Sequence, residues 1–237
     1  MSRLDSYLVA SGLCESRNRA QALIKNRFVS VNDSTITKSS YSVEEGDRVE
    51  IKEHKEYVSR SAWKLLHFLE QSGLDVHGRV ALDIGSSTGG FTQVLLERGA
   101  KEVSAVDVGS DQLHHSLREN SRVLLYESCD IRLFETLKRF DVVVSDVAFI
   151  SLLKILDDID RLALKDIVLL FKPQFEVGRE AKRDKNGVVT DTKAIHSAMQ
   201  RFEDACSLKG WNQVQKSEAK IAGKEGNQEY CYHFVKQ

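Results

Sequence analysis

An aspartate, three glycines and a run of small hydroxyl side chains sit together in Asp83-Ile-Gly-Ser-Ser-Thr-Gly-Gly-Phe-Thr, directly after the apolar run Val80-Ala-Leu. A strand that stops at a glycine turn and re-enters as a helix is the nucleotide-binding corner of a doubly wound α/β domain. The order here is Asp-x-Gly-x-x-x-Gly-Gly rather than Gly-x-Gly-x-x-Gly. Asp83 falls where a dinucleotide's pyrophosphate needs neutral or positive surroundings. A carboxylate there suits a cationic ligand such as S-adenosylmethionine, with its sulfonium and amino groups. The candidate contacts in the turn are Asp83, Gly85, Ser87, Thr88, Gly89, Gly90 and Phe91. Asp107, with Val108 beside it, ends the next strand about 20 residues on, where an acid commonly holds ribose hydroxyls. Asp130 and Ile131 hold the third-strand position. Asp130 there either accepts from an adenine amino group or caps the helical start Ile131-Arg-Leu-Phe-Glu.

A second set of residues suggests group transfer. Asp146 ends the fourth strand, Val-Val-Val-Ser-Asp, and strand C-termini face the ligand crevice of an open α/β sheet. Lys172 ends the fifth strand and precedes Pro173, the only proline in the chain. A residue before proline stays extended, which aims Lys172 at the same crevice. Lys64, on the helix before the first strand, and Glu229, opening the last strand, each read singly as a surface charge or as part of this set. Together the four suit methylation of a ribose 2′-hydroxyl. That group is a poor acid and a poor nucleophile. A lysine takes its proton only where desolvation and a second cation pull the lysine below its usual pKa of about 10.4. Asp146 would orient Lys172 and the hydroxyl, and Lys64 and Glu229 would complete the hydrogen-bond frame. In-line positioning of oxygen and methyl group would supply the rest.

The elements that must hold these residues follow from periodicity. Leu4, Tyr7, Leu8 and Val9 have helical spacing, with Gly12 as the stop. Ser16 caps a second, basic helix through about Asn26 that turns Ala20, Leu23 and Ile24 inward. Phe28–Val31 alternates like a strand, Asn32-Asp33 supplies a turn, and Val43–Ile51 reads as turn then strand. The charged stretch Lys52–Glu56 is a linker candidate, which sets the boundaries at a first domain over 1–52, a linker over 53–58 and a second domain over 59–237. Ser59–Glu70 reads as a capped amphipathic helix. Strands near 79–83, 102–106, 123–125, 140–145, 166–171, 211–217 and 229–235 then alternate with helices until the last pair. Alternation means a mostly parallel sheet covered on both faces, and the final pair an antiparallel hairpin at one side. The segment 174–190 carries Arg179, Lys182, Arg183 and Lys185 between Gly178 and Gly187. It is either a mobile basic loop over the crevice that contacts RNA phosphates or a plain solvated loop.

Bulk properties narrow the function. The 237 residues carry a net charge of −1 and are 41% hydrophobic, enough for a real core. Any nucleic-acid binding therefore comes from local patches, not from global charge. Cys14, Cys129, Cys206 and Cys231 show no metal-type pairing and fit a reduced, cytoplasmic protein. No apolar run approaches the roughly 18 residues that span a bilayer, and Met-Ser-Arg-Leu-Asp lacks the apolar core of a signal peptide. The expected partner is RNA, with neither membrane nor metal, and the chain is expected to be a monomer or weak dimer.

The whole chain resembles the TlyA (haemolysin A) family of rRNA ribose 2′-O-methyltransferases. Residues 1–52 are similar to the S4 RNA-binding domain, through Arg3-Leu-Asp-Ser-Tyr-Leu, Ser16-Arg-Asn-Arg-Ala-Gln-Ala-Leu-Ile and Val29-Ser-Val-Asn. Residues 57–237 are similar to FtsJ methyltransferases. The carrying stretches are Tyr57-Val-Ser-Arg, the Asp83 turn, Ala105-Val-Asp-Val-Gly, Asp146-Val-Ala-Phe-Ile-Ser-Leu and Phe171-Lys-Pro-Gln-Phe-Glu-Val-Gly-Arg. The resemblance implies a class I Rossmann-like α/β methyltransferase sheet with an antiparallel C-terminal hairpin, preceded by a small α+β RNA-binding domain. It implies methyl transfer from S-adenosylmethionine to a cytidine 2′-hydroxyl in ribosomal RNA. The short leader favours the large-subunit (23S) rRNA alone. The Lys-Asp-Lys-Glu set of this class maps onto Lys64, Asp146, Lys172 and Glu229. The basic residues Arg3, Arg17, Arg19, Lys25, Arg27, Arg60, Arg179, Lys182, Arg183 and Lys185 are the expected RNA contacts. Where the family usually has Ser-Arg-Gly-Gly-x-Lys, this chain has Ser59-Arg-Ser-Ala-Trp-Lys64. Trp63 there either alters packing at the domain interface or stacks on a flipped base.

Three other classes are open to test. Membrane lysis, which the haemolysin name suggests, lacks a spanning segment and a secretion signal. A non-catalytic RNA-binding or assembly protein would have no use for Lys172 and Asp146. Adenine N-methylation commonly uses Asn/Asp-Pro-Pro-aromatic after strand four, and this chain has Asp146-Val-Ala-Phe149 instead.

Overall fold

The computed structural model describes residues 2–25, 27–51 and 57–236, and the chain divides into two compact units, Met1–Glu56 and Tyr57–Gln237. In the first, β1 (Ser2–Arg3) leads into α1 (Leu4–Ala10) and α2 (Arg17–Lys25). The helices bury the predicted stripe of Leu4, Leu8, Ala20, Leu23 and Ile24. Ser16 Oγ accepts from the Arg19 N–H at 3.3 Å, the expected cap; the predicted helix end at Asn26 lies outside the described residues. β2 (Val29–Val31) and β3 (Ser34–Thr35) form a hairpin across Asn32 and Asp33, both at positive φ as a two-residue hairpin turn requires. β4 (Ser42–Val43) pairs with β1, and β5 (Val49–Ile51) closes a three-stranded sheet in the order β3-β2-β5.

The second unit runs α3 (Ser61–Ser72), β6 (Val80–Ile84), α4 (Gly90–Glu97), β7 (Glu102–Val106), α5 (His115–Arg118), β8 (Val123–Tyr126) and β9 (Phe140–Ser145). It continues with α6 (Leu156–Leu162), β10 (Ala163–Phe171), α7 (Pro173–Glu176), α8 (Thr192–Leu208), β11 (Trp211–Glu218) and β12 (Tyr230–Lys236). The seven strands order as β11-β12-β10-β9-β6-β7-β8. The five from β8 to β10 are parallel; β12 inserts antiparallel against β10 and pairs with β11 on its outer side. Alternation sorts neighbours onto opposite faces. Val143, Ile167, Leu169 and Phe171 pack with the α6/α8 layer, and Val142, Val144, Val168 and Leu170 with the α3/α4 layer.

Three expectations need correction. Tyr57 and Val58, assigned to the linker, pack on the second unit's core, and the Val58 N–H donates to Gln93 Oε1 at 2.8 Å. The rest of that linker, residues 53–56, lies outside the described residues. Ser59 does not open a helix: α3 starts at Ser61, and the two hydroxyls bond each other at 2.6 Å. The segment 174–190 is polar but shaped. It holds α7, a bridge between Arg183 and Val189, and Asp184 Oδ1 accepting from the Asn186 and Val188 N–H groups.

Candidate active site

The sheet order reverses between β6 and β9, so their C-terminal ends flank a crevice at the topological switch point. They meet closely. Gly85 has φ +80°, and a Cβ there would lie 3.1 Å from Val147 Cγ1 and 3.2 Å from the Asp146 carbonyl oxygen. On the β6/β7 side lies a cleft of about 620 Å³, lined by Gly85, Ser87, Asp107, Val108, Asp130, Ile131 and Asp146 among others. Ile84, Val106 and Val147 make part of its wall apolar. Asp107 is locked by the N–H groups of Ser87 and Gly109, at 2.8 and 2.7 Å. Asp130 does what its capping reading describes: it accepts from the Arg132 N–H at 3.0 Å and pairs with the Arg132 guanidinium, while still lining the cleft.

Asp83 is fully buried beneath the turn. Its Oδ2 accepts from Thr92 Oγ1 at 2.6 Å and its Oδ1 has no partner. Burial pushes its carboxyl up to about 7 against the lowering effect of the Thr92 hydroxyl. An orphaned buried acid under a turn too tight for a side chain, beside a largely apolar slot, fits a cationic nucleoside such as S-adenosylmethionine. Asp83 itself lines neither cleft and would act through its field, not by contact. Gly89 and Gly90, read as cofactor contacts, are packing positions. A Cβ on Gly89 would meet Leu117 Cδ1 at 2.2 Å, and one on Gly90 would meet Ser59 Oγ at 2.1 Å.

A second cleft of about 790 Å³ shares Gly85, Ser87 and Asp146 with the first and adds Thr88, Phe91, Lys64, Lys172 and Glu229. Lys172 Nζ lies 2.6 Å from Asp146 Oδ1, and Lys64 Nζ lies 2.6 Å from Glu229 Oε2. All four side chains are less than 15% exposed, at 12, 14, 9 and 3% respectively. The backbone of Lys172 is extended (φ −114°, ψ 103°), as its position before proline requires. Burial raises the Asp146 carboxyl; the Lys172 and Lys64 charges oppose that without cancelling it. One buried and one partly buried lysine–carboxylate pair, lining one cleft at the C-terminal ends of β9 and β10, are equipped to orient a hydroxyl and take its proton.

Sequence reasoning missed Ser59, Ser61, Gln174 and Asn227, which also line the second cleft. Only the Lys-Pro-Gln spacing could have flagged Gln174. Arg60 and Arg183 line this cleft, whereas Arg179, Lys182 and Lys185 are exposed outside it. Arg183 is also spent internally, donating to the carbonyls of Ala181, Arg179 and Gly178. In the first unit Lys25 and Arg27 are exposed and Arg19 half-buried, while Arg3 and Arg17 clasp the buried Asp5 at 3.1 and 3.0 Å. Trp63 packs edge-on against Tyr57, with ring centroids 4.8 Å apart, inside the second unit. Among the described residues no cluster of His, Cys, Asp and Glu is arranged to hold a metal, and no helix is long and apolar enough to cross a membrane.

Comparison with known proteins agrees with this architecture. The sequence profile of the FtsJ-like methyltransferases matches residues 57–236, and that of the S4 domain matches residues 2–49. The 23S rRNA (cytidine-2′-O)-methyltransferase TlyA of Campylobacter jejuni is 44% identical over 97% of this chain and 98% of its own length. The 16S/23S rRNA (cytidine-2′-O)-methyltransferase TlyA of Mycobacterium tuberculosis is 38% identical over 97% of this chain and 88% of its own. A solved structure from Streptococcus thermophilus, assigned as a hemolysin, superposes with a TM-score of 0.74 at 33% identity, covering 100% of this chain and 88% of that one. With its two domains matched end to end by such relatives, this chain belongs to the TlyA (haemolysin A) family and is an FtsJ-like methyltransferase that takes S-adenosylmethionine as its methyl donor.

Proposed function

We propose that the enzyme methylates the 2′-hydroxyl of a cytidine in ribosomal RNA, with the 23S rRNA of the large subunit as its target. One observation carries this reading: Lys172–Asp146 and Lys64–Glu229 converge in a cleft that shares a wall with the cofactor cleft. The cytidine and the rRNA come from the names of the relatives; the mycobacterial one is named for both subunits' rRNA.

S-adenosylmethionine, when bound, supplies an electrophilic methyl group on a sulfonium. Asp146, on the wall common to both clefts, holds Lys172 in register beside the ribose hydroxyl. Lys172 Nζ, as the neutral amine, takes the hydroxyl proton and becomes the ammonium as the oxygen turns nucleophilic. Lys64, held by Glu229, is the second cation, and it offsets the negative charge that develops on that oxygen. Asp107 and Asp130 hold the cofactor's polar ends at the rim of the first cleft, and Asp83 answers its positive charge from beneath the turn.

The first unit anchors the RNA through Arg3, Arg17, Arg19, Lys25 and Arg27. Arg60, Arg179, Lys182, Arg183 and Lys185 contact phosphates near the second cleft. Ribosomal RNA as substrate places the enzyme in the cytoplasm.

Tritiated methyl transfer from S-adenosylmethionine to purified ribosomal subunits and naked rRNA tests the reading, with nuclease digestion and mass spectrometry of the labelled nucleoside. The expected product is 2′-O-methylcytidine in large-subunit rRNA. Label on small-subunit rRNA as well would widen the target. Cofactor binding without transfer to any RNA would overturn the reading in favour of a non-catalytic RNA-binding protein.

A further inference from the structure

The single helical turn after Lys172 bonds Glu229 directly and also bonds the far end of the loop that begins at Asp146. Gln174 Nε2 donates to Glu229 Oε1 at 3.1 Å, while the other oxygen of Glu229 accepts from Lys64. An ionised carboxylate only accepts, so the Gln174 amide must present its NH₂ group to Glu229. Two residues later Glu176 is buried, and its oxygens accept from Ser151 Oγ at 2.6 Å and from the Leu152 N–H at 2.7 Å. Those partners stand at the far end of the loop that leaves β9 at Asp146.

That loop carries backbone strain at its tip. Phe149 has φ +64°, a region that costs a bulky residue energy; the residue is 92% exposed, and its ring lies 5.3 Å, centroid to centroid, from that of Phe175 on α7. Such a conformation persists only where the surroundings over-determine it. The Glu176 clamp supplies that constraint at the loop's base, and Pro173 pre-sets the turn from which it reaches.

We infer that α7 is the positioning element of this active site: Gln174 sets Glu229, Glu176 sets the Asp146 loop, and both acids are thereby registered to the lysine that precedes the turn. The inference rests on the ribose-methylation reading. Neither Gln174 nor Glu176 is a proton carrier; both act through the residues they hold.

The test measures kcat and KM for rRNA, together with the S-adenosylmethionine Kd by calorimetry, on the full-length chain carrying Gln174→Ala, Glu176→Ala or Glu176→Gln. Displacing a catalytic group by about 1 Å can cost on the order of 100-fold, so each alanine variant should lose about 10- to 100-fold in kcat. Cofactor Kd and the KM for rRNA should stay within about threefold, the mark of a loss confined to the transition state. Glu176→Gln should recover most of kcat, because its amide oxygen still accepts from Leu152 and its NH₂ can donate to Ser151. Wild-type kcat in both alanine variants would overturn the inference. So would a loss that merely tracks a lowered fraction of cofactor-binding protein, or a Glu176→Gln variant as impaired as Glu176→Ala. Failure of the underlying reading looks different: the wild-type chain itself would methylate no RNA, and the inference would fall with it.

Discussion

The acid at the centre of the first unit's charge cluster is met by arginine, and the two acids of the second unit's candidate site are met by lysine. In the first, Asp5 accepts from Arg3, Arg17 and Gln21 at 3.1, 3.0 and 2.8 Å, and the Arg3 guanidinium leads in holding its carboxyl well below the usual range. The two arginine side chains stay 49 and 55% exposed. In the second, Asp146 and Glu229 face lysines that are 12 and 9% exposed, and burial raises the Asp146 carboxyl. Arginine holds a fixed charge in a rigid fork, while the ammonium of lysine can give up and regain a proton. The first cluster therefore sets the shape of a surface that still offers its cations to solvent. The second keeps its lysines at 12 and 9% exposure on the wall of a cleft, where proton transfer is wanted.

The sharpest way to break that contrast is Lys172→Ala, which should lower methyl transfer about 10³-fold, within the range of a lost general base. Calorimetry should show cofactor affinity nearly unchanged. Lys172→Arg should fail to rescue, because arginine keeps charge but takes no proton; rescue would mean that charge alone matters there. Next in size is Gly223→Ala. A Cβ at Gly223 would lie 2.5 Å from Glu229 Oε1, so the second pair must shift, and kcat should fall about tenfold.

A smaller effect belongs to Asp83. Its native carboxyl, pushed up to about 7, titrates above its unfolded value. The native state therefore keeps a proton between about pH 4 and 7 that the unfolded chain has lost, and stability falls as pH rises through that window. A cationic cofactor favours the ionised form, so calorimetric affinity should rise several-fold from about pH 6 to 8. Asp83→Asn should flatten that rise. The smallest effect is expected at the arginine cluster. Asp5→Asn should lower the melting temperature by a few degrees and weaken rRNA binding modestly, without changing kcat. For Asp5 the sign is the reverse of that for Asp83: its contribution is present above about pH 4 and lost as pH falls toward its depressed native value.

Much of the fold was legible because side-chain period is a local property. All seven strands of the large sheet, including the weak one at Val123–Tyr126, lie where alternation and apolar runs put them. The antiparallel C-terminal pair followed from the missing helix between β11 and β12. The positions of Asp146 and Lys172 were legible for a related reason: strand ends in such sheets point to the crevice, and Pro173 holds Lys172 extended, whereas Lys64 and Glu229 read singly as surface charges. Asp130 shows the limit of local reading. Capping and ligand contact predict the same residue, and the Arg132 contacts settle only the first. The glycines of the turn show another. Gly85, Gly89 and Gly90 look alike in sequence, yet only Gly85 lines a cleft; its neighbours meet Leu117 and Ser59 from distant segments.

The sequence by itself determined the elements, their order, and the acids and lysines at the strand ends, since each depends on residues a few positions apart. Tertiary structure decided which charges meet. Lys64 and Glu229 are separated by 165 positions, Gln174 and Glu229 by 55, and Glu176 and Ser151 by 25. These groups become neighbours because β12 inserts antiparallel beside β10, bringing Glu229, just ahead of its first residue, to the end of the sheet where Lys172 emerges. No local pattern encodes that insertion. It follows from the burial of two apolar sheet faces under separate helical layers, a property of the assembled core and not of any one segment.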